Sequence, residues 1–324
     1  MNVTTAAYLG EAIAAYGFAH GHPFSTRRFA AFLDAFHARG LDRHVRVFPP
    51  VAATINQLLS FHTPDYVRHV QSMSKIGGGF LDFGDTPAFS GVFEAAAAVV
   101  GCAVDAVDRI MGGEIQRAFI PIGGLHHAAR DRAAGFCVFN DCGVAIQTLM
   151  DHYQLTRIAY IDIDAHHGDG VFYAFEDEPR VWFADIHEDG RFLYPGSGSP
   201  EQIGRGAAAG MKLNIALPPQ ANDAAFWRVW PQVEAFLETA RPEFILLQCG
   251  ADSVAGDPLT HLMYSPKVHG EAARRLCAIA DRHSNGRVLA FGGGGYNLEN
   301  IARAWCGVVA ALCNLNDGVH HESV

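Results

Sequence analysis

Asp162, Asp164, His166, His167 and Asp169 place three carboxylates and two imidazoles in eight positions, directly behind the apolar run Ile158-Ala159-Tyr160-Ile161. Side chains two apart on an extended chain share a face, so Asp162, Asp164 and His166 are expected to point the same way. Ionisable groups gathered at the end of a buried strand are costly unless something compensates them. A divalent metal is the simplest compensator. Carboxylate oxygen and imidazole nitrogen, with one more ligand and an open position, describe a catalytic zinc-like site. Asp164 and His166 are the first two expected ligands. Asp252, in Gly250-Ala251-Asp252 behind another apolar run, offers the third, with helix N-capping as its alternative role.

Two further groups could do chemistry beside such a metal. His126 and His127 form a tandem pair behind Gly123-Gly124-Leu125, and Asp162 and Asp169 are candidate partners for them. A carboxylate on one ring nitrogen fixes the tautomer and raises basicity at the other, which suits a general base acting on water. Gly292–Gly295 precedes Tyr296 without the Lys-Ser/Thr of a phosphate loop or the spaced glycines of a dinucleotide turn. Glycines there let the backbone pass close to a ligand, and a Tyr296 hydroxyl could bond a carbonyl oxygen as it becomes an oxyanion; a structural partner for that Tyr is the competing reading. Gly135-Phe136-Cys137 and Tyr194-Pro195-Gly196 each add an aromatic ring on a loop.

These residues need elements to position them. Short apolar runs predict strands over Arg117–Ile122, Arg157–Ile163, Arg180–Ile186, Met211–Leu217, Glu243–Cys249 and Arg287–Phe291. Helical patterns cover Ser25–Arg39, Ser90–Met111, Asp141–Tyr153, Asp223–Thr239, Pro266–His283 and Asn297–Leu312. Continuous apolar strands separated by helices imply an α/β fold with a parallel sheet covered on both faces. In such sheets the site lies beyond the carboxyl ends of the strands. Four of the candidate motifs fall there: those at His126, Asp164, Asp252 and Tyr296.

Of the 324 residues 49% are hydrophobic and 18% charged, and no polar linker interrupts them, so one large domain spanning 1–324 is expected. A net charge of −10 with no Lys/Arg-rich block argues against nucleic acid as a partner. The seven cysteines lack CxxC spacing and read as buried thiols rather than a disulfide framework. The apolar runs are too short to span a bilayer and the N-terminus has no basic leader, so no membrane association and a cytoplasmic location are expected.

Together, Gly123–Ala128, Gly135-Phe136-Cys137, Asp162–Gly170, Gly250-Ala251-Asp252 with Gly256-Asp257-Pro258, and Gly292–Asn297 strongly resemble the zinc-dependent histone deacetylase family, in the branch of bacterial amidohydrolases, acetylpolyamine amidohydrolases and acetoin-utilisation proteins. The resemblance runs in order from about His20 to Trp305. It implies the three-layer α/β/α arginase–deacetylase fold around an eight-stranded parallel sheet. It also implies zinc or ferrous iron on Asp164, His166 and Asp252, His127 with Asp169 as general base and then acid, and His126 with Asp162 as its electrostatic neighbour. Tyr296 would polarise the scissile carbonyl. Phe136 and Tyr194, with Gly135, would wall an acyl-lysine tunnel, and Asp85 would hold the substrate backbone at its rim. Many members also bind potassium, here near Asp162, Asp164, the backbone of His166, and Asp185-Ile186.

The chain departs from the family pattern in places. Tyr194 stands where Phe is commoner, and Asp185 where many members carry Ser. Leu259 occupies a position that is acidic in polyamine-selective relatives, which argues against a charged polyamine tail. The expected activity is removal of an acetyl or other acyl group from a primary amine, with an acylated lysine peptide or a small acetylated amine as substrate. The rival readings are an acetylpolyamine deacetylase, a two-manganese arginase-like ureohydrolase, whose Asp-x-His-x-Asp spacing is missed by one residue, and a silent acyl-lysine binding protein.

Overall fold

The computed structural model describes residues 4–19 and 21–315; His20, where the resemblance begins, lies outside them. The elements are β1 (Thr5–Tyr8), α1 (Glu11–Ala14), α2 (Arg27–Ala38), β2 (Arg46–Phe48), α3 (Ile55–Leu59), α4 (Pro64–Ile76), α5 (Val92–Met111), β3 (Arg117–Ile120), α6 (Asp141–Asp151), β4 (Ile158–Asp162), α7 (Asp169–Ala174), β5 (Val181–Glu188), β6 (Lys212–Leu217), α8 (Asp223–Ala240), β7 (Phe244–Gln248), α9 (Lys267–His283), β8 (Val288–Phe291) and α10 (Leu298–Leu312). All six expected strands and all six expected helices are present. No helix among the described residues is long and apolar enough to cross a membrane.

The strands form one eight-stranded sheet in the order β2-β1-β3-β8-β7-β4-β5-β6. Every pairing is parallel. Parallel crossovers are right-handed, so the direction of travel along the sheet decides which face a connecting helix covers. Connections through α5, α6 and α7 move one way; those through α2, α8 and α9 move the other. The helices therefore form two layers, and the contacts agree: α5 packs on α6, while α10 packs on α9 and α2. This is the three-layer α/β/α arrangement of the arginase–deacetylase fold.

Aromatic packing ties the second helix layer to the sheet. On α2, Arg28, Phe32 and Phe36 recur every four residues and share one buried face. Phe32 lies 5.3 Å from Phe119 of β3 and 5.9 Å from Trp305 of α10, ring centre to ring centre. Burying a ring of this size stabilises by about 1.5–3 kcal/mol. The Trp305 indole also donates to the Cys249 carbonyl at 3.2 Å, which anchors α10 at the end of β7.

From β4 the chain moves to one side of the sheet, to β5; from its neighbour β7 it moves to the other, to β8. The carboxyl ends of β4 and β7 thus flank a topological switch point, where a crevice opens. In register, Gln248 of β7, Asp162 of β4 and Asp185 of β5 stand side by side. β4 stops at Asp162, one residue earlier than expected, so strand alternation does not carry on to Asp164 and His166. These two sit on the loop that follows β4, and Asp164 reaches the same Gln248 side chain that adjoins the His126 partner of Asp162.

Candidate active site

Asp164, His166 and Asp252 converge in the crevice, with one ligand atom from each within 4.8 Å of the others. His166 Nδ1 lies 3.0 Å from Asp164 Oδ1 and 3.2 Å from Asp252 Oδ2. The carboxylates are held from outside. The Gln248 amide and the Gly294 N–H donate to Asp164 Oδ2 at 2.8 and 2.9 Å, and the Ala165 N–H donates to Asp252 Oδ1 at 2.9 Å. Burial and the neighbouring Asp164 push the Asp252 carboxyl up to about 7. Asp164 is held well below its usual range despite burial, by the His126 and His166 rings and the Gln248 amide. His166, against its burial, is held up to about 10 by its bonds to Asp164 and Asp252. Two buried carboxylates thus converge on one imidazole, presenting a set of one nitrogen and two oxygens. That donor set fits a divalent cation.

The tandem histidines pair with carboxylates as expected. His126 Nδ1 meets Asp162 Oδ2 at 2.8 Å and His127 Nδ1 meets Asp169 Oδ1 at 2.6 Å. The two Nε2 atoms are 3.1 Å apart. With both Nδ1 hydrogens committed to carboxylates, a bond across that gap needs one further proton shared by the pair. Burial, and then the His126 ring, push His127 down to about 4. Its Nε2 therefore keeps a free lone pair at neutral pH, as a base requires. The His127 ring centre is 5.7 Å from that of His166. Gly135 (φ 54°) backs this histidine so closely that a Cβ there would lie 2.4 Å from His127 Cδ2.

Tyr296 follows the glycine run, and its N–H donates to Asp257 Oδ2 at 2.7 Å. Glycine is needed beside it: a Cβ at Gly294 would lie 1.9 Å from Asp252 Oδ2. Burial pushes the Tyr296 hydroxyl well above its usual range, so it stays protonated and able to donate. The ring packs edge-on to Phe136, 5.8 Å between centres.

A cavity of about 670 Å³ opens over His127 and Asp169. Of the residues expected to bind substrate, Asp85 and Tyr194 line it. Tyr194 stands edge-on to His127 at 5.1 Å. Burial and Asp82 push the Asp85 carboxyl up to about 6. Gly135 and Phe136 border His127 and Tyr296 instead, and Leu259, 37% exposed on its loop, does not line the cavity.

The residues expected around potassium gather beneath the crevice. Asp162 and Asp185 are both fully buried. Asp185 accepts from Gly168 N–H at 2.9 Å and pairs with His187 Nδ1 at 2.7 Å. Ile186 follows it, buried, on β5. His187 Nε2 faces the Gly198 carbonyl at 2.9 Å, so both ring nitrogens meet acceptors and the ring is the positive partner of Asp185. His167 bonds Ser197 Oγ through Nδ1 at 2.8 Å.

Sequence reasoning missed several residues that shape this site. Asp141 accepts from Gly124 and Leu125 N–H at 2.8 and 2.7 Å and so fixes the turn before His126. Arg28, fully buried, donates to the Gly295 and Gly293 carbonyls at 2.8 and 2.5 Å and holds the Tyr296 loop. A Gln ending the apolar strand Phe244–Gln248, and an Arg on the aromatic face of α2, were the available signals.

With this geometry in hand, comparison with known proteins is specific. A family model described as a histone deacetylase domain matches residues 22–312. The acetoin utilization protein AcuC of Bacillus subtilis is 36% identical over 95% of this chain and 81% of its own length. A probable deacetylase of Archaeoglobus fulgidus is 34% identical over 91% of this chain and 82% of its own. Histone deacetylase 8 of Xenopus tropicalis is 32% identical over 88% of this chain and 78% of its own.

Proposed function

We propose that this chain, which belongs to the histone deacetylase family and is by that membership a metal-dependent deacetylase, removes an acetyl group from the side chain of an acylated lysine. The cytoplasm is its proposed place of work. The observation that carries the reading is the convergence of Asp164, His166 and Asp252 beside a histidine, His127, whose other nitrogen is committed to Asp169.

Zinc is the ion proposed for Asp164, His166 and Asp252; when bound, it supplies Lewis acidity that polarises a carbonyl and lowers the pKa of water. The chain's own residues do the rest. Asp169 fixes the His127 tautomer so that Nε2 takes the proton of the attacking water. His126, held by Asp162, sets the charge beside that base. The Tyr296 hydroxyl donates to the carbonyl oxygen as negative charge develops on it. Protonated His127 then returns its proton to the leaving amine. Tyr194 and Phe136 flank the acyl-lysine stem, and Asp85 at the cavity mouth accepts from the substrate backbone. Potassium is proposed for the buried pair Asp162 and Asp185 with the adjoining Asp164, His166 and Ile186.

The pairing of Asp169 with His127 favours this reading over a two-metal ureohydrolase, in which that carboxylate would serve a metal. Tyr296→Phe is expected to keep its metal and to lose about 10²–10³-fold in turnover, the usual cost of one oxyanion donor. Hydrolysis of an acetyl-lysine reporter by this variant at the parent's rate would refute the assigned role.

A further inference from the structure

We propose that His167 and His187 are positioning residues that clamp the segment 189–202 through Ser197 and Gly198, and thereby hold Tyr194 beside His127. The proposal rests on the deacetylase reading for its substrate and on geometry for its mechanism. The segment leaves β5 and carries Tyr194 to the cavity over the site. On one side a second cavity of about 730 Å³ runs along Gly190, Arg191 and residues 196–202. Near Tyr194, two side chains of the sheet end reach it. His167 bonds Ser197 Oγ at 2.8 Å, and His187, braced by Asp185, faces the Gly198 carbonyl at 2.9 Å. The two imidazoles lie against each other, 5.0 Å between centres. Gly198 (φ 86°) closes onto them: a Cβ there would lie 2.4 Å from His187 Nε2 and 2.8 Å from His167 Cγ. Gln202 secures the far end by donating to the Tyr173 hydroxyl at 3.0 Å. His167 follows the metal ligand His166 directly, so the clamp couples the wall of the tunnel to the loop that carries the metal site.

The test compares Ser197→Ala, Gly198→Ala and the conservative Ser197→Thr with the parent. KM and kcat on an acetyl-lysine peptide are read alongside amide hydrogen exchange across 189–202. Loss of one bond in Ser197→Ala is expected to raise KM about fivefold with kcat within about twofold, and to speed exchange in the segment by a similar factor. Ser197→Thr is expected to match the parent, and Gly198→Ala to exceed Ser197→Ala in both effects. Unchanged KM and exchange in Ser197→Ala, even with a lowered melting temperature, would overturn the clamp. Should the parent fail to hydrolyse the peptide, the deacetylase reading falls, and exchange across the segment still decides the clamp.

Discussion

Asp169→Asn removes a charge while leaving a side chain of nearly the same shape against His127. The carboxylate oxygen stands 2.6 Å from His127 Nδ1 in a site where the ring is buried. Opposite unit charges about 4 Å apart attract by about 4 kcal/mol at an effective dielectric constant of about 20. That attraction acts only once His127 has taken a proton, so it stabilises the transition state and not the resting enzyme. Its loss is worth about three powers of ten in rate. Asp169 is not among the three groups that converge for the metal, so metal content should not change. The assay is turnover of an acetyl-lysine reporter with elemental analysis of the same sample. A roughly 10³-fold fall in kcat with full metal supports the pairing as the source of basicity. A rate within about threefold of the parent, or a fall that tracks lost metal, would refute the reasoning.

Gly135→Ala would drive a Cβ to 2.4 Å from the His127 ring at a φ of 54°, so the base must shift. A displacement of about 1 Å is expected to cost about 10²-fold in kcat with the fold intact by circular dichroism. His62 offers a test of stability rather than activity. Burial pushes it down to about 4 from an ordinary 6.5, while its ring accepts from Asn140 N–H at 2.9 Å. A depressed histidine adds stability that is present above pH 6.5 and lost as pH falls towards 4. Between pH 7 and pH 5 this residue should account for about 2 kcal/mol of lost stability. His62→Gln, compared with the parent by urea unfolding at both pH values, should lose less by about that amount; equal losses would contradict it.

Much of this arrangement was legible in the sequence because the sheet interior demands continuous apolar strands. Ile158–Asp162 and Phe244–Gln248 are buried at every position and stood out as apolar runs. β1, Thr5–Tyr8, is half alanine, and β2, Arg46–Phe48, is three residues long and largely exposed at the sheet edge, so neither carries such a signal. α4 was readable in principle from its Thr63 cap, Pro64 in the first turn and apolar positions at Tyr66, Val67 and Val70. The ligand and histidine motifs could be found because chemistry restricts both residue type and spacing. Arg28, Asp141 and Gln248 act through contacts between separate segments, which spacing along the chain does not encode. The paired part of β4 ends at Asp162, so Asp164 and His166 are carried by the loop beyond it, whose course strand alternation alone does not encode.

The central claim is one catalytic divalent metal on Asp164, His166 and Asp252, serving a His127 base. Its most direct test is titration of the metal-stripped protein with zinc while following acetate release from an acetyl-lysine peptide. The account predicts activity that rises linearly and levels at one equivalent of zinc per chain. A plateau at two equivalents, or full hydrolysis before any metal is added, would contradict it.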